Sequence, residues 1–163
     1  PIGTSSLFSV GEYHLDGNNK SIFNHKIGQV NGSGFLGLFE GLAAGSIIED
    51  LFIANLDVIV SGTPSAALNI GLLAGSNYGT ISNVEIEGAS LTFSNTYSHP
   101  AGFSVSAAGL TPFNGATGII EDTEVNADIR IDDTNLTNVN GTDTFNVSGF
   151  VVQNDNLISS SVI

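Results

Sequence analysis

The sequence contains no cysteine, no methionine and no tryptophan. Without cysteine no disulfide can staple the fold, which suits a bacterial or archaeal exported protein that must stay foldable outside the cell, although a cytosolic protein can equally lack it. Without methionine, Pro1 is not a translation start, so the chain is expected to be processed or part of a longer one. Charge is scarce too: only 12% of residues are charged, about half the usual share. Cations are rarest, with Lys20, Lys26 and Arg130 facing 16 acids for a formal charge of −13. Non-specific nucleic-acid binding needs clustered Lys and Arg and is therefore excluded. Docking on anionic lipid is disfavoured for the same reason. No apolar run reaches the length of a spanning helix, so membrane insertion within this segment is not expected. Only four prolines occur against 20 glycines, a balance of tight turns rather than a Pro-rich linker.

What remains is apolar enough to fold. Hydrophobic residues make up 41% of 163 residues, sufficient for one core and one domain, residues 1–163. No long stretch keeps a period of 3.6. Short runs alternate instead: Leu51-Phe52-Ile53, Val58-Ile59-Val60, Val84-Glu85-Ile86, Leu91-Thr92-Phe93 and Ile129-Arg130-Ile131. Gly, Asn and Ser clusters bound most of them, as turns bound strands.

The chain then repeats itself. One unit runs from Gly37 to Val60 and the next from Gly71 to Phe93, with Gly37, Gly41 and Gly45 matching Gly71, Gly75 and Gly79. A third unit starts at Gly109 and a fourth at Gly149. The tetrapeptide IIED occurs at 47–50 and again at 119–122. A unit of two or three short strands cannot bury its apolar residues alone, and stacking closes a shared core. The fold class expected is all-β, a right-handed parallel β-helix of roughly five rungs. Leu38, Leu72, Leu110 and Phe150 are expected in one inward column, Ile47, Ile81 and Ile119 in another, and Leu51, Val84 and Thr123 in a third. Asp50, Asn83 and Asp122 should share a turn column beside one of Glu49, Ser82 and Glu121. The recurring glycines are expected at sharp corners, where φ can be positive.

The opening Pro1-Ile2-Gly3, followed by Gly11 to Ile22 with Asp16-Gly17-Asn18, resembles the start of GLUG-motif β-solenoids. The run Gly71-Leu72-Leu73-Ala74-Gly75-Ser76-Asn77-Tyr78-Gly79-Thr80-Ile81-Ser82-Asn83 resembles the GLUG repeat itself. The resemblance weakens between 94 and 148 and recovers from 149. It implies a secreted or surface-anchored, adhesin-like setting in bacteria or archaea, and it carries no catalytic residues.

Candidate chemistry is thin. No nucleotide loop or zinc spacing occurs. His14, His25 and His99 fall on different rungs in this reading and are expected as surface or turn residues. Calcium is the one conceivable cofactor, at Asp132 and Asp133 with Asp143, or at Asn154-Asp155-Asn156; neither follows a known calcium-loop spacing, and solvated turns are the simpler reading. Sequons at Asn19, Asn31, Asn135, Asn140 and Asn146 permit glycosylation. The function expected is a non-catalytic extracellular module of a cell-surface or appendage protein: stalk, adhesive surface or filament building block. Its partners would be neighbouring copies, other domains of a larger surface protein, or glycans. The alternative is a carbohydrate-active parallel β-helix, such as a lyase or tailspike fragment. A deep groove lined by carboxylates and His14 or Arg130 would favour that alternative, although three cations are few for neutralising an acidic sugar.

Overall fold

The computed structural model describes residues 14–28, 34–61, 67–93, 104–131 and 144–163. Pro1 to Tyr13, which carry the start of the GLUG resemblance, lie outside the described residues, as do His99, Asp132, Asp133 and Asp143 and the sequons at Asn31, Asn135 and Asn140.

The chain is a parallel β-helix. In chain order the strands are β1 (His14–Phe23), β2 (Lys26–Gly28), β3 (Gly34–Leu36), β4 (Ile47–Ala54), β5 (Asp57–Val60), β6 (Leu68–Gly71) and β7 (Thr80–Phe93). They continue with β8 (Ser104–Ala108), β9 (Thr111–Asn114), β10 (Ile119–Glu121), β11 (Glu124–Ile131), β12 (Thr144–Ser148), β13 (Val151–Asn154) and β14 (Leu157–Ser159). Every named strand pair is parallel and joins one turn of chain to the next. The first sheet stacks β1-β4-β7-β10-β14, five strands deep; the second stacks β3-β6-β8-β12, and the third pairs β9 with β13. The rise per rung is therefore the inter-strand spacing of about 4.8 Å.

The core is a set of side-chain columns. Leu51 opposes Val84, and Thr123 continues that column as expected. Thr123 is buried, and its hydroxyl donates to the Glu121 carbonyl oxygen at 2.9 Å, which satisfies it. The isoleucine column differs from the expectation by one residue. Ile48, Ile81 and Ile120 oppose one another and are fully buried, whereas Ile47 and Ile119 flank Thr80 on the outer, half-buried face. Two adjacent isoleucines in IIED look alike in sequence, but a one-residue step turns a side chain to the opposite face of a strand. Leu38, Leu72, Leu110 and Phe150 are all buried as expected. Their register slips at Leu72, because the Leu38 N–H donates to the Leu72 carbonyl while the Leu73 N–H donates to that of Leu110.

Three kinds of corner turn the chain. The first uses positive φ but not glycine: Asn19, Asp50, Asn83, Asp122 and Ser160 lie between 48° and 53°. They fall in one column, set by the flanking pairs Lys20–Leu51, Leu51–Val84 and Glu121–Ser159. Asn and Asp tolerate this left-handed geometry better than other non-glycine residues. Within the column the Asn83 amide donates to the Asp50 carboxylate at 2.6 Å. The neutral Asn83 thus separates Asp50 from Asp122. The second corner holds Gly37, Gly71, Gly109 and Gly149, and none of these has positive φ. Glycine is required there for close approach: a Cβ on Gly109 would run into the Gly149 carbonyl oxygen, and one on Gly71 into that of Leu110. The expectation that the repeat glycines can supply positive φ holds at Gly45, with φ of 87°, and not at the glycines of this corner.

The third corner carries a buried asparagine ladder. Asn77 donates from Nδ2 to Asn114 Oδ1 at 2.7 Å, and Asn114 donates to Asn154 Oδ1 at 2.7 Å. The remaining Nδ2 protons go to the Ile119 and Gly118 carbonyls at 3.3 and 3.1 Å. Asn77 and Asn114 are fully buried, and each amide proton has an acceptor. Leu42 takes this position one turn earlier and ends the ladder with an apolar cap.

Two pairs of variants test this packing. Ile81→Ala should cost about 2–5 kcal/mol in urea unfolding. The outward-facing Ile119→Ala should cost about 1 kcal/mol or less. Asn114→Leu, close to isosteric, should cost about 1–3 kcal/mol because it strands the Asn77 donor. Asn154→Ala, at the exposed end of the ladder, should cost less.

Candidate groove on the second and third sheets

Alternation along the strands puts one outward side chain per rung on the second sheet. Phe35 opposes Asn69, Asn69 opposes Ser106, and Ser106 opposes Asn146. Their neighbours Leu36, Leu68, Ile70, Val105 and Ala107 face the core. The chain then turns through Gly109 and Leu110 onto the third sheet, where Phe113 opposes Gln153. The two faces enclose a groove of about 310 Å³ whose wall also includes Pro112 and Val152. Tyr78 completes the rim. Its ring meets that of Phe113 edge-on, with centroids 5.5 Å apart and planes at 62°. Gly115 makes room for it, since a Cβ there would run into the tyrosine ring. The Gly115 N–H donates to the Asn77 carbonyl at 2.8 Å, so the buried asparagine corner also anchors the rim.

The groove lining contains no Asp, Glu, Lys, Arg or His. Most of the described acids lie instead on the first sheet and its turn columns, whereas Asp155 follows β13 and accepts from Gln153 of the groove wall. Glu49, Ser82 and Glu121 share one column, Glu85 opposes Glu124, and Asp50 and Asp122 occupy the neighbouring bend. His14 sits there too, its Nε2 2.7 Å from Glu49 Oε1. Arg130 pairs within its own strand with Asp128 at 2.6 Å. Neither residue reaches the groove, so the combination of carboxylates with His14 or Arg130 that would favour a carbohydrate-active enzyme is not assembled there. The lining offers no pair of carboxyl groups for acid and base roles.

The other candidates separate as follows. His14 and His25 belong to the same turn of chain, not to different rungs. His25 Nε2 is buried without a hydrogen-bond partner. Asn154 ends the asparagine ladder, and its Nδ2 donates to the Asn156 carbonyl at 2.8 Å. Gln153 Nε2 donates to the Asp155 carboxylate at 3.2 Å, so Asn154-Asp155-Asn156 forms a self-bonded turn. Among the described residues no three His, Asp or Glu side chains converge as a metal site. Sequence reasoning missed the groove, because Phe35, Asn69, Ser106 and Asn146 share no residue type. Only their register joins them.

No protein-family model matches the chain, and no solved structure matches it. A curated protein of Evansella cellulosilytica, described as a "Putative Gly-rich membrane protein", is 31% identical over 87 residues. That match covers 53% of this chain and spans only 9% of the length of the relative. Among the described residues of this chain, no helix is long and apolar enough to cross a membrane.

The stacked acids generate a salt-dependent outcome. Asn83→Asp removes the amide donor and places a third carboxylate between Asp50 and Asp122, about 4.8 Å from each. The unfolding midpoint should fall further in low salt than in about 1 M salt, where the screening length shrinks to about 3 Å. Equal losses at both salt concentrations would count against the electrostatic account.

Proposed function

We propose that this chain is a rigid, non-catalytic β-solenoid module of a cell-surface or appendage protein. It would act as a segment of a stalk or adhesive surface, next to further copies or domains. The observation that carries this reading is the axial ladder: β1-β4-β7-β10-β14 stack in parallel, so each rung is hydrogen-bonded to the next along one direction. Stacked side chains reinforce that ladder at the corners, as Asn77, Asn114 and Asn154 do. Bending or local unfolding of one rung must break bonds to two others, which favours a spacer that resists shear and proteolysis.

The resemblance of Gly71 to Asn83 to a GLUG repeat supports the surface setting, and the absence of cysteine and the formal charge of −13 are compatible with it. The relative's description as a membrane protein fits the same setting. A groove without carboxylates disfavours the hydrolytic alternative.

Antibodies against the chain should label intact cells. The native protein should withstand proteinase K under conditions that digest the Ile81→Ala variant. Retention inside the cell, or turnover of a polysaccharide by the purified protein, would overturn the proposal.

A further inference from the structure

Beyond the spacer role, we infer that the groove between the second and third sheets binds an uncharged glycan chain lying along the solenoid axis. Four observations converge. The first is chemical: the floor presents Asn69, Ser106 and Asn146, groups that both donate and accept hydrogen bonds, and the wall adds Gln153, whose amide also donates to Asp155. Sugar hydroxyls do the same. The second is aromatic: Phe35 and Tyr78 are 40% and 42% exposed, and Phe113 braces Tyr78 from the side. Exposed rings of this size offer an apolar platform, which suits the C–H face of a pyranose.

The third observation is electrostatic. The lining carries no charged side chain, although the molecule carries −13 overall. The acids on the first sheet would repel a polyanion, and the groove offers no cation to hold one. A cationic ligand would find its complement on the acidic face instead. The fourth is geometric. The floor residues occupy successive rungs about 4.8 Å apart in a straight column. A linear ligand parallel to the axis meets one polar side chain per rung.

A peptide fits less well. Strand addition needs a free backbone edge, but β6 lies between β3 and β8, and β8 between β6 and β12. Of the floor strands, β6 and β8 are thus paired on both sides, and a strand added at the open edge of β12 would extend the stack rather than fill the groove. Apart from Tyr78, which Phe113 braces, the groove is built from strand residues on a hydrogen-bonded ladder, so its backbone is in place before a ligand arrives.

The test uses the whole chain, produced without glycosylation so that the sequon at Asn146 leaves the groove free. Affinity electrophoresis and calorimetry would compare soluble β-glucan, galactomannan, amylose and arabinoxylan with anionic polygalacturonate and a mixed peptide library. The expected result is retention by at least one neutral polysaccharide and none by polygalacturonate. Tyr78→Ala and the double variant Asn69→Ala/Asn146→Ala should each weaken binding by about tenfold or more. Gly115→Ala, which displaces the Tyr78 ring without touching the floor, should also weaken it. Thermal unfolding of Tyr78→Ala and of the double variant should match that of the parent, since these side chains project outward.

Failure to bind any neutral polysaccharide overturns the inference. So does a preference for polygalacturonate or peptides, or undiminished binding by both Tyr78→Ala and the double variant. None of those results bears on the rigid-module reading, whose tests are surface labelling and protease resistance.

Discussion

The parallel hydrogen-bond ladder along the axis is the constraint from which the rest of this molecule follows. It fixes each residue above its counterpart one turn away, at about 4.8 Å. A side chain therefore has to tolerate its equivalents on adjacent rungs. Isoleucine meets isoleucine in the column of Ile48, Ile81 and Ile120, and buries apolar area on both sides. Asparagine meets asparagine at Asn77 and Asn114, because its amide supplies a donor on one edge and an acceptor on the other. Aspartate tolerates its own kind poorly. Where Asp50 and Asp122 occupy one column, the neutral Asn83 lies between them and bonds to one of them.

The corners divide two requirements that are often assigned to glycine together. Left-handed backbone is provided by Asn19, Asp50, Asn83 and Asp122, whose short polar side chains adopt it at modest cost. Close backbone approach is provided by Gly71 and Gly109, which need no unusual φ. Separating the two lets one corner carry a side-chain ladder while the other brings rungs into contact. The third corner buries Asn77 and Asn114, and their fully bonded amides make a slipped register expensive, because a slip would bury unpaired donors. The same corner holds Gly115 and Tyr78, so the element that enforces register also places the aromatic rim of the groove.

The larger groove and most of the described acids lie on different faces, while a smaller hollow on the first sheet is lined by Asp50 and Glu85. The acids cluster on the outer surface of the first sheet and its bend, where solvent screens contacts such as Glu85 against Glu124. The second and third sheets present neutral amides, hydroxyls and rings. The acidic face repels other anions. The other face offers a neutral concavity with the exposed rings of Phe35 and Tyr78, which neither His14 nor Arg130 reaches.

The sequence by itself determined the class of fold. The recurrence of Gly37 to Val60 as Gly71 to Phe93, without helical periodicity, requires stacked β-units because one unit has too little core to stand alone. It also placed Asp50, Asn83 and Asp122 in one column, and Leu51, Val84 and Thr123 in another, since these lie where the repeats match closely. Register was legible only there. Of the paired isoleucines in IIED, only the ladder decided that Ile48 and Ile120 face inward while Ile47 and Ile119 face out, because alternation gives adjacent residues opposite faces without saying which. The asparagine ladder was hidden by its spacing: Asn77 and Asn114 are 37 residues apart, whereas Asp50 and Asn83 are 33 apart. The groove was hidden more deeply. Phe35, Asn69, Ser106 and Asn146 form one surface only because parallel pairing lays their strands side by side, and a pairing between distant segments leaves no local mark on the residues it brings together.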